Sequence, residues 1–183
     1  MHVHLIKELL DASNYENNKF GLKFNTVSMN LLLSKAIQDT FPQASEKQIS
    51  IIKEIHPLPE IWGDEERLVQ VIMNLLINAI KFTPSEGKIF VKAVEDIEEL
   101  RISISDTGIG IPSDKLDIIF ERFYQVDGST SRKYGGAGLG LSICKNIIDK
   151  HYGSIWAESS GQGSTFHIVL PKLKSIDGKK NVQ

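Results

Sequence analysis

Five polar residues, three or four positions apart, interrupt an otherwise apolar stretch at residues 64–84, DEERLVQVIMNLLINAIKFTP. On a helix of 3.6 residues per turn, Arg67, Gln70, Asn74, Asn78 and Lys81 fall within an arc of about 80°. The rest of that surface is Leu68, Val71, Ile72, Met73, Leu75, Leu76, Ile77, Ala79 and Ile80. Surface helices usually show the reverse proportions, an apolar stripe on a broad polar back. A solvated edge is one reading of the stripe. Such edges favour Glu, Lys and Gln, whereas Asn is poor in mid-helix because its amide competes for the backbone. Two Asn one turn apart, followed by a Lys, point instead to ligand contacts placed at a local cost in stability. Neutral amide oxygens suit Mg²⁺, which takes one or two protein ligands beside phosphate oxygens and water. A Lys one turn further along suits a phosphate.

Two glycine-bearing loops could complete such a site. Asp106-Thr107-Gly108-Ile109-Gly110-Ile111-Pro112 follows a strand-like run. Its glycines allow close approach to the backbone, and Asp106 can accept a hydrogen bond from an exocyclic amine such as adenine presents. An ordinary Asp-Thr-Gly turn reads the same way. Gly135-Gly136-Ala137-Gly138-Leu139-Gly140 precedes a helical pattern, where free N–H groups and the helix dipole favour phosphate. It lacks the Lys-Ser/Thr ending of a P-loop and does not open a βαβ unit, so a dinucleotide fold is disfavoured. Between the loops, residues 125–136 are polar and include Arg132 and Lys133, as a lid over phosphates would be. Phe120, Arg122 and Phe123 stand ahead of that segment, with core packing and lid anchoring both open to the aromatics. Cys144 sits in the apolar run LSICKNII, where an inert buried thiol is expected.

These groups need elements to hold them. The chain has 183 residues, 41% apolar and 24% charged, which accommodates one full domain and a short appendage. A net charge of −2 argues against a general nucleic-acid binder. No run reaches the roughly 20 apolar residues of a membrane span, and one cysteine fits a reducing, cytoplasmic compartment. Residues 1–13 carry Leu5, Ile6, Leu9 and Leu10 at helical spacing, too short a helix to stand alone. After a polar break at 14–19, residues 20–27 read as a strand. A helix follows from an N-cap at Ser28 to about Phe41, where Pro42 intervenes. Residues 48–55 read as a strand and HPLPEIWGD as a loop, with Asp64 capping the central helix. KIFVKAV and LRISIS form an expected antiparallel pair, a further helix runs from Gly138 to about His151, and SIWAES and STFHIVL close the chain. The fold class is therefore α+β: a two-layer α/β sandwich, its sheet mixed but mostly antiparallel, with helices on one face.

With these pieces in order, the chain resembles the ATP-binding catalytic domain of sensor histidine kinases, in the Bergerat-type superfamily of DNA gyrase, the mismatch-repair ATPase and the large heat-shock chaperone. NLLINAIKFTP is similar to that family's N box, DTGIGIP to its first G box, FERF to its F box, GGAGLGLSI to its second G box and GSTF to its closing strand. Each motif alone is weak; together and in this order they are specific. The resemblance implies a catalytic domain at 19–172, a remnant of the dimerisation helix plus linker at 1–18, and a tail at 173–183.

It also implies roles. Asn78, with Asn74 beside it, matches the Mg²⁺ ligand position, Lys81 a phosphate contact and Phe82 an adenine contact. Asp106 matches the aspartate that reads the adenine amine, with Gly108 and Gly110 shaping the pocket. Gly136, Gly138, Leu139 and Gly140 form the lid hinge near the phosphates; Arg132, Lys133 and Thr165 are looser candidates for nucleotide contacts. The implied cofactors are ATP (with ADP as product) and Mg²⁺. The implied partners are a dimerisation domain carrying the phosphoacceptor His and, indirectly, a response regulator receiver domain. That His is typically followed by Glu or Asp, and no histidine here is. In the related ATPases a Glu that activates water stands one turn before the metal-binding Asn; here the residue is Asn74. A nucleotide-operated ATPase or conformational module is the alternative.

Overall fold

The computed structural model describes residues 21–124 and 138–172. The expected N-terminal helix and linker, the segment 125–136 with Arg132, Lys133 and Gly136, and the tail lie outside the described residues. Along the chain run β1 (Asn25–Ser28), α1 (Met29–Glu46), β2 (Ser50–Ile55), β3 (Glu60–Gly63), α2 (Glu65–Phe82), β4 (Lys88–Glu95) and β5 (Glu99–Asp106). A 3₁₀ turn (Ser113–Lys115), α3 (Gly140–Lys150), β6 (Ser154–Glu158) and β7 (Ser164–Pro171) follow.

The main sheet has the order β2-β4-β5-β7-β6, with β2 parallel to β4 and every other pairing antiparallel. Period-two alternation decides which face carries the core. Ile89, Val91 and Ala93 of β4, Leu100, Ile102 and Ile104 of β5, and Phe166, Ile168 and Leu170 of β7 are buried, while Phe90 is exposed. The helices cover the buried face. α2 packs against α1, α3 and β5, burying Leu68, Val71, Ile72, Leu75, Leu76, Ala79 and Ile80. Each Val, Leu or Ile among them is worth about 1.5–3 kcal/mol relative to exposure. This is the expected two-layer sandwich.

β1 begins only at Asn25, with residues 21–24 outside the strand expected over 20–27, and the boundaries differ from expectation in three further places. α1 does not stop before Pro42 but continues to Glu46. Pro42 and Gln38 lie on the exposed side, so water can serve the Gln38 carbonyl that proline leaves without its N–H. Buried Thr40 and Ala44 hold the helix course on either side of it, and the Thr40 hydroxyl donates back to the Ala36 carbonyl at 2.8 Å. The expected loop HPLPEIWGD contains β3, which pairs antiparallel with β1 and buries Ile61. The prolines hide this strand in the sequence because it is only four residues long and lies just after them. α3 begins at Gly140 rather than Gly138, because Gly138 takes φ +70°, outside the helical region.

Candidate functional site

The polar stripe of α2 is half-buried along its whole length: Arg67, Gln70, Asn74, Asn78 and Lys81 are all intermediate in exposure. A solvated edge would be exposed. Asp64 caps the helix start, its carboxylate accepting from the Arg67 N–H at 3.2 Å. Arg67 Nη1 donates to Gln70 Oε1 at 2.8 Å. Asn74 is turned toward α3: its Nδ2 donates to Cys144 Sγ at 3.2 Å. That nitrogen is committed to helix packing, and the amide oxygen faces the start of α3 at Gly140. Asn78 stands one turn further, Lys81 Nζ lies 4.9 Å from the Phe82 ring centroid, and Phe82 is half-buried at the helix end. Burial pushes the Cys144 thiol up to about 12, although the Asn74 hydrogen bond opposes the shift. It is the inert thiol expected.

Asp106 ends β5 on the buried face and is 8% exposed. One carboxylate oxygen accepts from the Gly108 N–H at 2.7 Å and the other from the Ser164 hydroxyl at 2.5 Å. A carboxylate has about four acceptor sites, so each oxygen keeps one for a ligand donor. Gly108 must be glycine for lack of space: a Cβ would meet Asp106 Oδ1 and the Phe82 carbonyl oxygen, each at 2.6 Å. The loop is thereby pressed onto the end of α2, and the Ile109 N–H donates to that same Phe82 carbonyl at 3.3 Å. The β6–β7 connection braces it from the other side. Gly163 N–H donates to the Gly108 carbonyl at 2.8 Å, and Ile111 N–H donates to Ser159 Oγ at 2.9 Å. Gly110 adopts φ +73° beside Gly161. An open cavity lined by Asp106, Glu158, Ser159, Ser160, Gln162, Gly163, Ser164 and Thr165 runs along this connection. It adjoins the Asp106 end of the site and does not reach Asn78.

At the third corner, Gly140 starts α3 against Asn74, where a Cβ would lie 2.6 Å from the amide oxygen. Leu139 is buried in the core, so it can meet a ligand through its backbone only. Its carbonyl accepts from the Ile143 N–H at 3.0 Å and the Ser142 hydroxyl at 2.8 Å. Gly138 sits beside Phe123, whose N–H donates to its carbonyl at 3.0 Å. Phe120 packs edge-on against Phe166 at 6.3 Å, whereas Phe123, at φ +60°, is 68% exposed. Core packing thus holds for the first aromatic and not the second.

Thr165 is not where a partner of Asp106 would be. Its hydroxyl donates to Ser105 Oγ at 2.9 Å, on the opposite face of the sheet. β5 and β7 pair Asp106 with Ser164 and Ser105 with Thr165, so the alternation gives Asp106 to Ser164. Sequence reasoning passed over Ser164, although the inward run Phe166, Ile168, Leu170 extrapolates to it.

Among the described residues no cluster of three His, Cys, Asp or Glu could hold a metal. The half-buried amide of Asn78 still fits Mg²⁺, which needs one or two protein oxygens when phosphates supply others. No described helix is long and apolar enough to cross a membrane.

Residues 63–174 match the family model described as Histidine kinase-, DNA gyrase B-, and HSP90-like ATPase. The chain is 41% identical to the adaptive-response sensory kinase SasA of Gloeothece citriformis over 173 residues, covering 93% of this chain and 44% of that protein. Among solved structures, full-length ShkA in complex with AMPPNP aligns with a TM-score of 0.79 and 32% identity, covering 92% of this chain and 36% of that one. The histidine kinase ThkA in complex with the response regulator TrrA aligns with a TM-score of 0.76 and 26% identity, covering 95% and 50%. The chain spans less than half of the length of the curated relatives it matches, from 13% to 44%. The family match over the α2 helix, both ends of the Asp106 loop and the closing strands places this chain in the histidine kinase, gyrase B and HSP90-like ATPase family, as an ATP-binding catalytic domain of the histidine kinase type.

Proposed function

We propose that this domain binds Mg-ATP and donates the γ-phosphoryl group to a histidine on the dimerisation domain of its parent protein. The observation that carries the reading is Asp106, a buried carboxylate anchored by Gly108 and Ser164 and retaining acceptor capacity for an adenine amine. Phe82 flanks that end of the site. Asn78 would hold Mg²⁺ through its amide oxygen, and Lys81, one turn on, would meet a phosphate. When bound, the ion neutralises phosphate charge and orients the transferring group, the main task in phosphoryl transfer. The helix start at Gly138, Leu139 and Gly140 offers backbone N–H groups to the same phosphates. Gly136, Arg132 and Lys133 would add to them from the lid. Thr165, bonded to Ser105, is the weakest of the nucleotide contacts proposed, and Ser164 is the residue that supports Asp106.

Asn74 supports a kinase over an ATPase. A neutral amide whose nitrogen donates to a thiol cannot accept a proton from water, and general-base help is worth about 10²–10⁴-fold. Water is a poor acceptor here, and the base arrives with the target histidine. A response regulator, such as ThkA binds, would take the phosphoryl group onward. The supply of ATP places the domain in the cytoplasm.

The test mixes the chain with γ-labelled ATP, Mg²⁺ and a two-helix dimerisation domain from a homologous kinase. Label should pass to the histidine of that domain, at a rate abolished by Asn78→Ala. Labelling of neither protein, with sustained phosphate release by the chain alone, would move it to the ATPase reading.

A further inference from the structure

The last turn of α2 is held by a residue outside every motif so far described. Lys47, which closes α1, points its ammonium at that turn. Nζ donates to the carbonyl oxygens of Ile80 at 2.6 Å, Lys81 at 3.2 Å and Thr83 at 2.5 Å. A lysine has three such donors, and all are directed at one helix end. The neighbouring carbonyls are taken as well: Ala79 accepts from the Thr83 N–H at 3.0 Å and the Thr83 hydroxyl at 2.6 Å, and Phe82 accepts from Ile109. Lys47 is anchored in turn, its N–H donating to the Ala44 carbonyl at 3.2 Å and its carbonyl accepting from Glu86 at 3.1 Å.

A helix C-terminus can be satisfied by water or by a glycine turn, and any nearby cation gains from the dipole. Here a half-buried cation holds three carbonyls of the backbone that carries Lys81 and Phe82, just after Asn78. The same turn abuts Gly108, two residues from Asp106. We infer that Lys47 is a positioning residue for the nucleotide site: it sets the rotation of the last turn of α2, and so the place of Asn78, Lys81 and Phe82 relative to Asp106. This rests on the Mg-ATP reading above.

The test compares titrations of a non-hydrolysable ATP analogue, with and without Mg²⁺, into the full chain and four variants. Lys47→Met should weaken binding about three- to thirty-fold, the usual range for residues acting on a ligand through other groups, with the larger loss when Mg²⁺ is present. Lys47→Arg, which can still donate to carbonyls, should recover most of the affinity, and Lys47→Gln should fall between. Ile49→Ala removes buried packing from the same connection without touching the α2 carbonyls, and should lower the melting temperature while binding as the unmodified chain does. Amide shifts in Lys47→Met should change at residues 78–83 and 108–109 and not at 64–68. Unchanged affinity in Lys47→Met and Lys47→Gln would overturn the inference. So would parallel losses in Lys47→Met and Ile49→Ala that track stability alone. If the unmodified chain binds no nucleotide at all, the Mg-ATP reading fails and this inference with it.

Discussion

The two ends of α2 are closed by residues that each end another helix, and they are closed in different ways. At the N-terminus, the Asp64 N–H donates to Nε2 of His151, which follows α3, at 2.9 Å. The other ring nitrogen donates to the Ile147 carbonyl at 2.7 Å, so the imidazole is neutral, with its proton on Nδ1. The Asp64 carboxylate also accepts from the Lys23 N–H at 2.8 Å. At the C-terminus the closing group is the Lys47 cation, and the turn it holds packs against the loop bearing Asp106. The first clamp is buried and remote from the polar groups proposed to meet ligand. The second shares its carbonyls with them. Damage at the first end should therefore appear as lost stability, and damage at the second as lost binding.

The largest effect is expected from His151→Ala, which removes a ring that is 1% exposed and leaves the Asp64 N–H without its acceptor. Cavity and desolvation together should cost about 3 kcal/mol or more, read as a lower urea midpoint, with ATP affinity unchanged in the fraction that remains folded. Asp106→Asn should do the opposite. The amide oxygen can still accept from Gly108 and the fold should hold, while a lost charge-assisted hydrogen bond weakens ATP about ten- to a hundred-fold, some 1.5–3 kcal/mol. Ser164→Ala, which takes a donor away from Asp106, should cost about 1 kcal/mol of binding, or roughly five-fold. Thr165→Val, on the other face of the sheet, should weaken binding by less than Ser164→Ala does. Equal losses for the two would undo the register argument.

The smallest effect distinguishes the ends by pH. Burial pushes the His151 imidazole below its ordinary value, opposed by the Ile147 hydrogen bond and the Asp64 charge. In the unfolded chain it titrates near pH 6.5. Below that pH the unfolded chain takes up a proton that the folded chain resists. This contribution to stability is therefore complete above about pH 6.5 and declines as the pH falls to the lowered folded value, where the decline ends. Denaturation midpoints between pH 7 and pH 5 should show a shallower slope in His151→Gln than in the unmodified chain.

How much of this could be read from the chain depended on the range of the interactions. The α2 stripe was legible because a 3.6-residue period is local and Asn is costly in mid-helix. Asp106 was legible because it ends an alternating strand at a glycine loop. Choosing between Ser164 and Thr165 needed only the strand period, since one residue of slip changes the face. β3 was obscured by adjacent prolines, and α1 ran through Pro42 because the exposed side of a helix tolerates what its core side would not. Lys47 and His151 were illegible for a different reason. Their partners lie 33 to 36 and 87 residues away, and nothing in the local pattern distinguishes them from an ordinary surface lysine or core histidine.

In the proposed site, the last turn of α2 and the Asp106 loop together bind one adenine nucleotide. Calorimetric titration of the full chain with ATP and with GTP, each with and without Mg²⁺, tests it most directly. Asp106 is proposed to accept from the adenine amine, and guanine presents a carbonyl oxygen where adenine has that amine. ATP should bind more tightly with Mg²⁺ than without, and GTP at least about ten-fold more weakly than ATP. Equal binding of the two nucleotides, or ATP binding indifferent to Mg²⁺ and to Asn78→Ala, would contradict it.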